Sequence, residues 1–185
     1  MIRLFYTRMT PIPMNKDLYV IKTLEQTEDI NNVIFQKYND LKEADIERKS
    51  HLFHGRYENI YIKDTSIPEI QDIIEKLKQE AALFLNIQKA YLKFGFWFNA
   101  MSPGDQTTLH CHDDFDEVLS GVYYIKVPEQ SGNLILHMEK QLEIQPKEGM
   151  IVLFSPCLKH HVTINNSKQI RLSIGFNVTV LNNAD

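Results

Sequence analysis

The chain has 185 residues, enough for one domain with a sizeable core and too few for two full ones. Its 43% hydrophobic and 24% charged residues are those of a soluble globular protein, and a net charge of −4 with a pI near 6.0 speaks against general nucleic-acid binding, which calls for a basic surplus. Two cysteines, Cys111 and Cys157, are too few for a disulfide framework and point to a reducing cytoplasm.

Residues Met1 to Arg8 lack the apolar run of a signal peptide, and no stretch approaches the roughly 20 apolar residues of a membrane span. Residues 18–22 read as a short strand. From Thr27 the apolar positions Ile30, Val33, Ile34, Tyr38 and Leu41 recur at helical spacing, with acidic residues early in the segment, so a first helix is expected there. Residues 50–57 read as a loop and Ile60-Tyr61-Ile62 as a strand. A second helix follows, with Ser66 as its cap, Pro68 in its first turn, and Ile70, Ile73, Ile74, Leu77 and Ala81 on one apolar stripe.

From Tyr91 the period falls from near 3.6 to near 2. Residues 91–99, 119–127, 134–137, 150–154, 162–164 and 170–180 read as strands. Turn signals at Pro103-Gly104, Gly132-Asn133, Lys147-Glu148-Gly149 and Asn165-Asn166 part them. Many short strands at regular spacing point to a jelly roll, so the expected class is α+β, mainly β. One domain over residues 1–185 is expected. Within it, residues 91–181 form the jelly-roll core, and residues 1–90 supply supporting strands and helices packed on the outer face of one sheet.

Five of the seven histidines lie in the strand-rich half: His110, His112, His137, His160 and His161. In His112-Asp113-Asp114, a strand conformation would put His112 and Asp114 on the same face. A strand from across the sandwich can then bring His160 beside them. Two imidazoles and a carboxylate on one face of iron(II) leave positions open for a chelating co-substrate and dioxygen. A His-x-Asp triplet arises often by chance and carries little weight alone. His137-Met138-Glu139 and His110-Cys111-His112 compete with it.

The strand at 170–176 adds a second element. Arg171, Ser173 and Gly175 alternate with Ile170, Leu172, Ile174 and Phe176. On an ordinary half-buried strand, Arg171 and Ser173 would face water. In a jelly roll covered by helices, the apolar face lies under the helices and Arg171 points into the barrel. A guanidinium buried there needs an anion, and its fork grips a carboxylate bidentately. Tyr124 shares a face with Val122 and Ser120 and can offer its hydroxyl to the same carboxylate. Plain core packing is the alternative for Tyr124 and for Tyr123.

These residues stand in a telling order. Pro103-Gly104, His112-Asp113-Asp114 and Leu119-Ser120-Gly121-Val122-Tyr123-Tyr124 are followed by Gly132-Asn133-Leu134, Leu153-Phe154, His160-His161-Val162 and Arg171-Leu172-Ser173. The stretch from about Phe96 to Phe176 resembles the 2-oxoglutarate- and iron(II)-dependent oxygenases of the prolyl-hydroxylase-like branch, most closely small oxygenases of bacteria and phages. The resemblance implies a double-stranded β-helix, with iron(II), 2-oxoglutarate and dioxygen as reaction partners. It implies that His112, Asp114 and His160 bind the metal and form the catalytic centre. Arg171 would hold the distal carboxylate of 2-oxoglutarate, helped by Ser173 and Tyr124. The family's reaction releases succinate and carbon dioxide and hydroxylates an unactivated carbon of a small-molecule or peptide substrate.

The chain departs from the pattern where Ser102 replaces a tyrosine before Pro-Gly, and where Ile125-Lys126 replaces the Leu-Asn of many prolyl hydroxylases. A preference for proline is therefore not implied. His110 is expected to face the same cavity, as a substrate contact, a structural residue, or a replacement for Asp114. Two other readings stay open on the residues. One is a cupin-like metalloprotein with His110, His112 and His160 and no 2-oxoglutarate, favoured if Arg171 faces solvent. The other is a jelly-roll binding module without catalysis, its histidines scattered. Specificity would lie in the N-terminal segment and in the loops at 113–118 and 130–133.

Overall fold

The structure, a computed structural model, describes residues 19–112 and 116–181. The expected first strand is β1 (Tyr19–Thr23), and Leu18 lies outside the described residues, as do Met1 to Arg8. Helix α1 (Glu28–Asn39) follows, with Glu28 and Asp29 at its N-terminus, where the helix dipole favours negative charge. Residues 50–57 are not a loop. They belong to a hairpin of β2 (Ile46–Phe53) and β3 (Arg56–Ile62), which turns at His54-Gly55 with φ of 48° and 79°. Strand β2 is the sheet's edge and largely exposed, so its Glu-Arg-Lys-Ser-His run shows no apolar alternation that would reveal it.

Helix α2 (Ile70–Leu85) buries Ile70, Ile73, Ile74, Leu77 and Ala81, the stripe expected from its spacing. Its start lies four residues beyond Ser66, whose hydroxyl instead donates to Asp45 Oδ1 at 3.1 Å, so Ser66 is not the cap. The helix closes at Asn86 in the left-handed conformation, a residue type that tolerates it. Seven strands follow among the described residues: β4 (Leu92–Met101), β5 (Glu117–Lys126), β6 (Leu134–Leu136), β7 (Leu142–Ile144), β8 (Met150–Phe154), β9 (His160–Val162) and β10 (Arg171–Val180). The short β7 was not foreseen, and β9 begins two residues before the expected strand.

The strands form two antiparallel sheets, a large one in the order β1-β8-β5-β10-β4-β3-β2 and a small one in the order β7-β6-β9. Two apolar clusters result. In the outer one, Ile34 of α1 and the α2 stripe pack with Tyr123, Ile151, Leu172, Ile174, Phe176 and Val178 of the large sheet. The inner one, between the sheets, contains Tyr124, Leu134, Leu136, Val152, Phe154 and Leu158. This is a double-stranded β-helix, or jelly roll, with its helices on the outer face of the large sheet. The site lies on the inner side.

Candidate active site

Residues 107–112 run beside β9 and extend the small sheet. Thr107 N donates to Val162 O at 3.1 Å, and His112 N donates to Pro156 O at 2.8 Å. Between them, His110 and His160 exchange backbone hydrogen bonds of 3.1 and 2.9 Å. Residues directly opposite in an antiparallel pair present their side chains to the same face, so this pairing sets the two imidazoles side by side. His112 joins them. Ring centroids are 4.4 Å apart for His110 and His160, 5.0 Å for His110 and His112, and 5.2 Å for His112 and His160. One ligand nitrogen from each of the three lies within 4.8 Å of the others.

The tautomers of two rings follow from their partners. His110 Nδ1 faces Thr108 O and His160 Nδ1 faces Leu158 O, each at 2.8 Å. A carbonyl only accepts, so both protons sit on Nδ1 and both Nε2 atoms keep a free lone pair, the arrangement a metal requires. His160 is buried, and that burial, followed by the neighbouring His110 and His112, pushes its pKa well below the ordinary value. It is neutral at pH 7. Phe154 lies 4.7 Å from His160 and Trp97 lies 5.6 Å from His112, closing the cluster in aromatic walls.

Asp114 and Asp113 lie outside the described residues. His112 and His160 are thus brought together, with His110 the third described member of the group. His161, on the opposite face of β9, is separately engaged with His137 through ring nitrogens 2.9 Å apart.

The inner face of β10 supplies a second centre. Arg171 is only 1% exposed. Its Nη1 donates to Gly132 O at 3.0 Å and Ser131 O at 3.4 Å, and its guanidinium carbon lies 5.0 Å from the centre of the Tyr124 ring. Among the described residues no carboxylate pairs with it. Among the described residues, Arg171 Nε and the Tyr124 hydroxyl are both buried without a hydrogen-bond partner of good geometry. Burial raises the Tyr124 pKa, opposed by the adjacent guanidinium, so the phenol keeps its proton. Ser173 is also buried, its Oγ only 3.5 Å from Asn99 O. An uncompensated buried cation costs several kcal/mol, on the order of what a paired carboxylate restores. The pocket therefore fits a carboxylate, and the imidazole cluster fits a divalent metal.

Several supporting residues had no signal in the sequence. A Cβ on Gly175 would come within 2.6 Å of the Trp97 indole, so the glycine lets Trp97 lie across the inner face beside His112. Glu58 of β3 accepts hydrogen bonds from Thr108 N and Thr108 Oγ1, both at 2.9 Å, just ahead of His110. Arg56 donates to Ala100 O at 3.1 Å and to Gln106 O at 2.9 Å, and its Nε lies 3.4 Å from Asp105 Oδ2. The hairpin of the N-terminal half thus fastens the segment that carries the histidines. Beside Trp97 a groove of about 520 Å³ opens, lined by Tyr61, Gly95 and Asn177 among others.

Comparison with known proteins points to the same chemistry. Residues 95–142 and 135–177 match the family model described as "Putative 2OG-Fe(II) oxygenase". A Pseudomonas putida prolyl-4-hydroxylase superposes with a TM-score of 0.62 at 16% identity, over 89% of this chain and 93% of its own. A prolyl hydroxylase from Trichoplax adhaerens, in complex with a hypoxia inducible factor oxygen degradation domain peptide fragment, gives 0.67 at 13% identity, over 88% and 83%. EvdO2 from Micromonospora carbonacea var. aurantiaca, complexed with 2-oxoglutarate, gives 0.63 at 15% identity, over 90% and 89%. No curated protein matches the sequence. The matched segment, residues 95–177, is similar to the 2-oxoglutarate- and iron(II)-dependent oxygenases, and the superposed structures share the double-stranded β-helix fold of this chain. The buried Arg171 removes the observation that would have favoured the cupin-like reading. Among the described residues no helix is long and apolar enough to cross a membrane.

Proposed function

We propose that this enzyme hydroxylates an unactivated C–H bond of a small-molecule or peptide substrate in the cytoplasm, with iron held by His112, Asp114 and His160. Arg171 holds the distal carboxylate of 2-oxoglutarate, with Ser173 and Tyr124 beside it. The observation that carries this reading is a guanidinium, buried without a counter-ion among the described residues, inside the same barrel as a cluster of imidazoles.

Iron(II), when bound, supplies the dioxygen activation that couples decarboxylation of 2-oxoglutarate to oxidation of the substrate. The protein's own residues do the rest. Arg171, anchored by two carbonyls, orients a dicarboxylate along the barrel, and the Tyr124 hydroxyl is placed to donate to the same end. Phe154 and Trp97 exclude water from the metal ligands. The groove beside Trp97 is the approach for the substrate.

The position of His110 supports a second version of the metal site, in which it supplies the third ligand in place of Asp114. Comparing Asp114→Ala with His110→Ala separates the two, because only loss of a true ligand strips iron at moderate chelator concentration. The activity itself is tested without knowing the substrate. Incubation with iron(II), air and 2-oxoglutarate labelled at C1 should release labelled carbon dioxide and equimolar succinate by slow uncoupled turnover. Iron-loaded protein that binds 2-oxoglutarate yet releases neither product would contradict the proposal.

A further inference from the structure

The loop between β5 and β6 is built around Arg171. Pro128 to Ser131 form a turn closed by Ser131 N donating to Pro128 O at 3.2 Å, with Gln130 at a φ of 61°. Gly132 follows with a φ of 93°, and a Cβ there would fall 2.3 Å from Thr163 O. Only glycine both adopts that backbone and fits so close to the 163–164 strand end. Pressed into place in this way, Ser131 and Gly132 aim consecutive carbonyls at Arg171 Nη1.

Ser131 itself is 3% exposed, and its hydroxyl is buried with no hydrogen-bond partner among the described residues. A buried hydroxyl left unpaired in an apolar setting costs about 1–3 kcal/mol, so a fold that retains one next to a buried guanidinium has a use for it. Among the described residues, three buried polar groups stand unsatisfied on this arginine and on two residues that contact its guanidinium: Arg171 Nε, Tyr124 Oη and Ser131 Oγ. Their common deficit is an acceptor. A carboxylate has two oxygens with about four acceptor positions, enough for all three donors at once.

We infer that Ser131 is a further co-substrate-binding residue, its hydroxyl donating to the distal carboxylate of 2-oxoglutarate alongside Arg171 and Tyr124, while its own carbonyl and that of Gly132 lock the arginine in place. The inference rests on the 2-oxoglutarate reading of the pocket. It makes the 130–132 turn part of the co-substrate site. Side chain and main chain of one residue then act on the same guanidinium–carboxylate pair.

The test is equilibrium binding to the iron(II)-loaded protein under strictly anaerobic conditions, with affinity read from ligand-dependent visible absorption. Two ligands are compared: 2-oxoglutarate, and 2-oxobutyrate, which keeps the chelating keto acid and lacks the distal carboxylate. Ser131→Ala should weaken 2-oxoglutarate by about tenfold, the worth of a hydrogen bond to a charged group, and leave 2-oxobutyrate within twofold of wild type. Ser131→Cys, nearly isosteric with a far weaker donor, should show the same selective loss. An unchanged 2-oxoglutarate affinity in the alanine variant, or equal weakening of both ligands, overturns the assignment. If the wild-type protein binds neither ligand, the 2-oxoglutarate reading of the pocket fails with it. If wild type binds 2-oxoglutarate and both variants match it, only the role of Ser131 is lost.

Discussion

On its outer face β10 presents Leu172, Ile174, Phe176 and Val178 to the helices, whereas its inner face carries Arg171, Ser173, Gly175 and Asn177. The neighbouring β5 repeats the contrast in two adjacent tyrosines. Tyr123 packs outward in the helix-covered core and donates its hydroxyl to Asn31 Oδ1 of α1 at 2.9 Å. Tyr124 points inward to Arg171, its hydroxyl buried and without a partner of good geometry among the described residues. One tyrosine is completed by the protein. The other waits for a ligand. The outer face thus serves stability through apolar burial, and the inner face keeps buried polar groups that lack partners among the described residues and that the proposed co-substrate would satisfy.

The difference can be broken from either side, and the largest effect belongs to the metal. His160→Ala should abolish iron retention, measured as bound iron after desalting, while the fold survives because the backbone pairing of residue 160 with His110 does not need the imidazole. Retention equal to wild type would remove His160 from the ligand set. On the outer face, Phe176→Ala should cost about 3–5 kcal/mol in denaturant unfolding, since the ring is fully buried and stacks on Phe94 at 4.7 Å. Iron binding below the unfolding transition should be unaffected.

Smaller effects sharpen the contrast between the tyrosines. Tyr124→Phe should weaken 2-oxoglutarate by roughly tenfold while leaving the ligand-free protein at least as stable as before, because the buried hydroxyl has no partner of good geometry among the described residues. Tyr123→Phe should do the reverse, losing about 1 kcal/mol of stability with its bond to Asn31 and leaving ligand affinity alone. The smallest effect is on pH dependence. The His160 pKa is depressed in the folded state, so below about pH 6.5 the unfolded chain takes up a proton that the folded one refuses. The metal-free protein should therefore lose thermal stability as pH falls from 7 toward 5, and His160→Asn should flatten that decline.

Much of this was legible in the sequence, and the exceptions have physical causes. The alternation of residues 170–176 told which side of β10 meets the helices, because a strand has only two faces and one of them was wholly apolar. The α2 stripe was equally plain. By contrast, β2 hides as an exposed edge strand, and β7 is a three-residue strand with too little pattern to read. The hold of Arg56 and Glu58 on residues 100–108 joins positions some 40 to 50 apart in the chain, and nothing local marks either end of it. The nearness of His110 to His160 depends on their backbone pairing, which the His-x-His spacing suggested only as one competitor among several.

On the proposed reading, one barrel holds a metal at its imidazoles and the distal carboxylate of 2-oxoglutarate at Arg171. Anaerobic addition of 2-oxoglutarate to the iron(II)-loaded protein measures this directly. A visible charge-transfer band should grow to saturation in wild type. In Arg171→Ala, which keeps its iron, it should need about a hundredfold more 2-oxoglutarate, the cost of losing a buried charge pair. Wild-type protein that retains iron yet gives no band at any 2-oxoglutarate concentration would contradict the account.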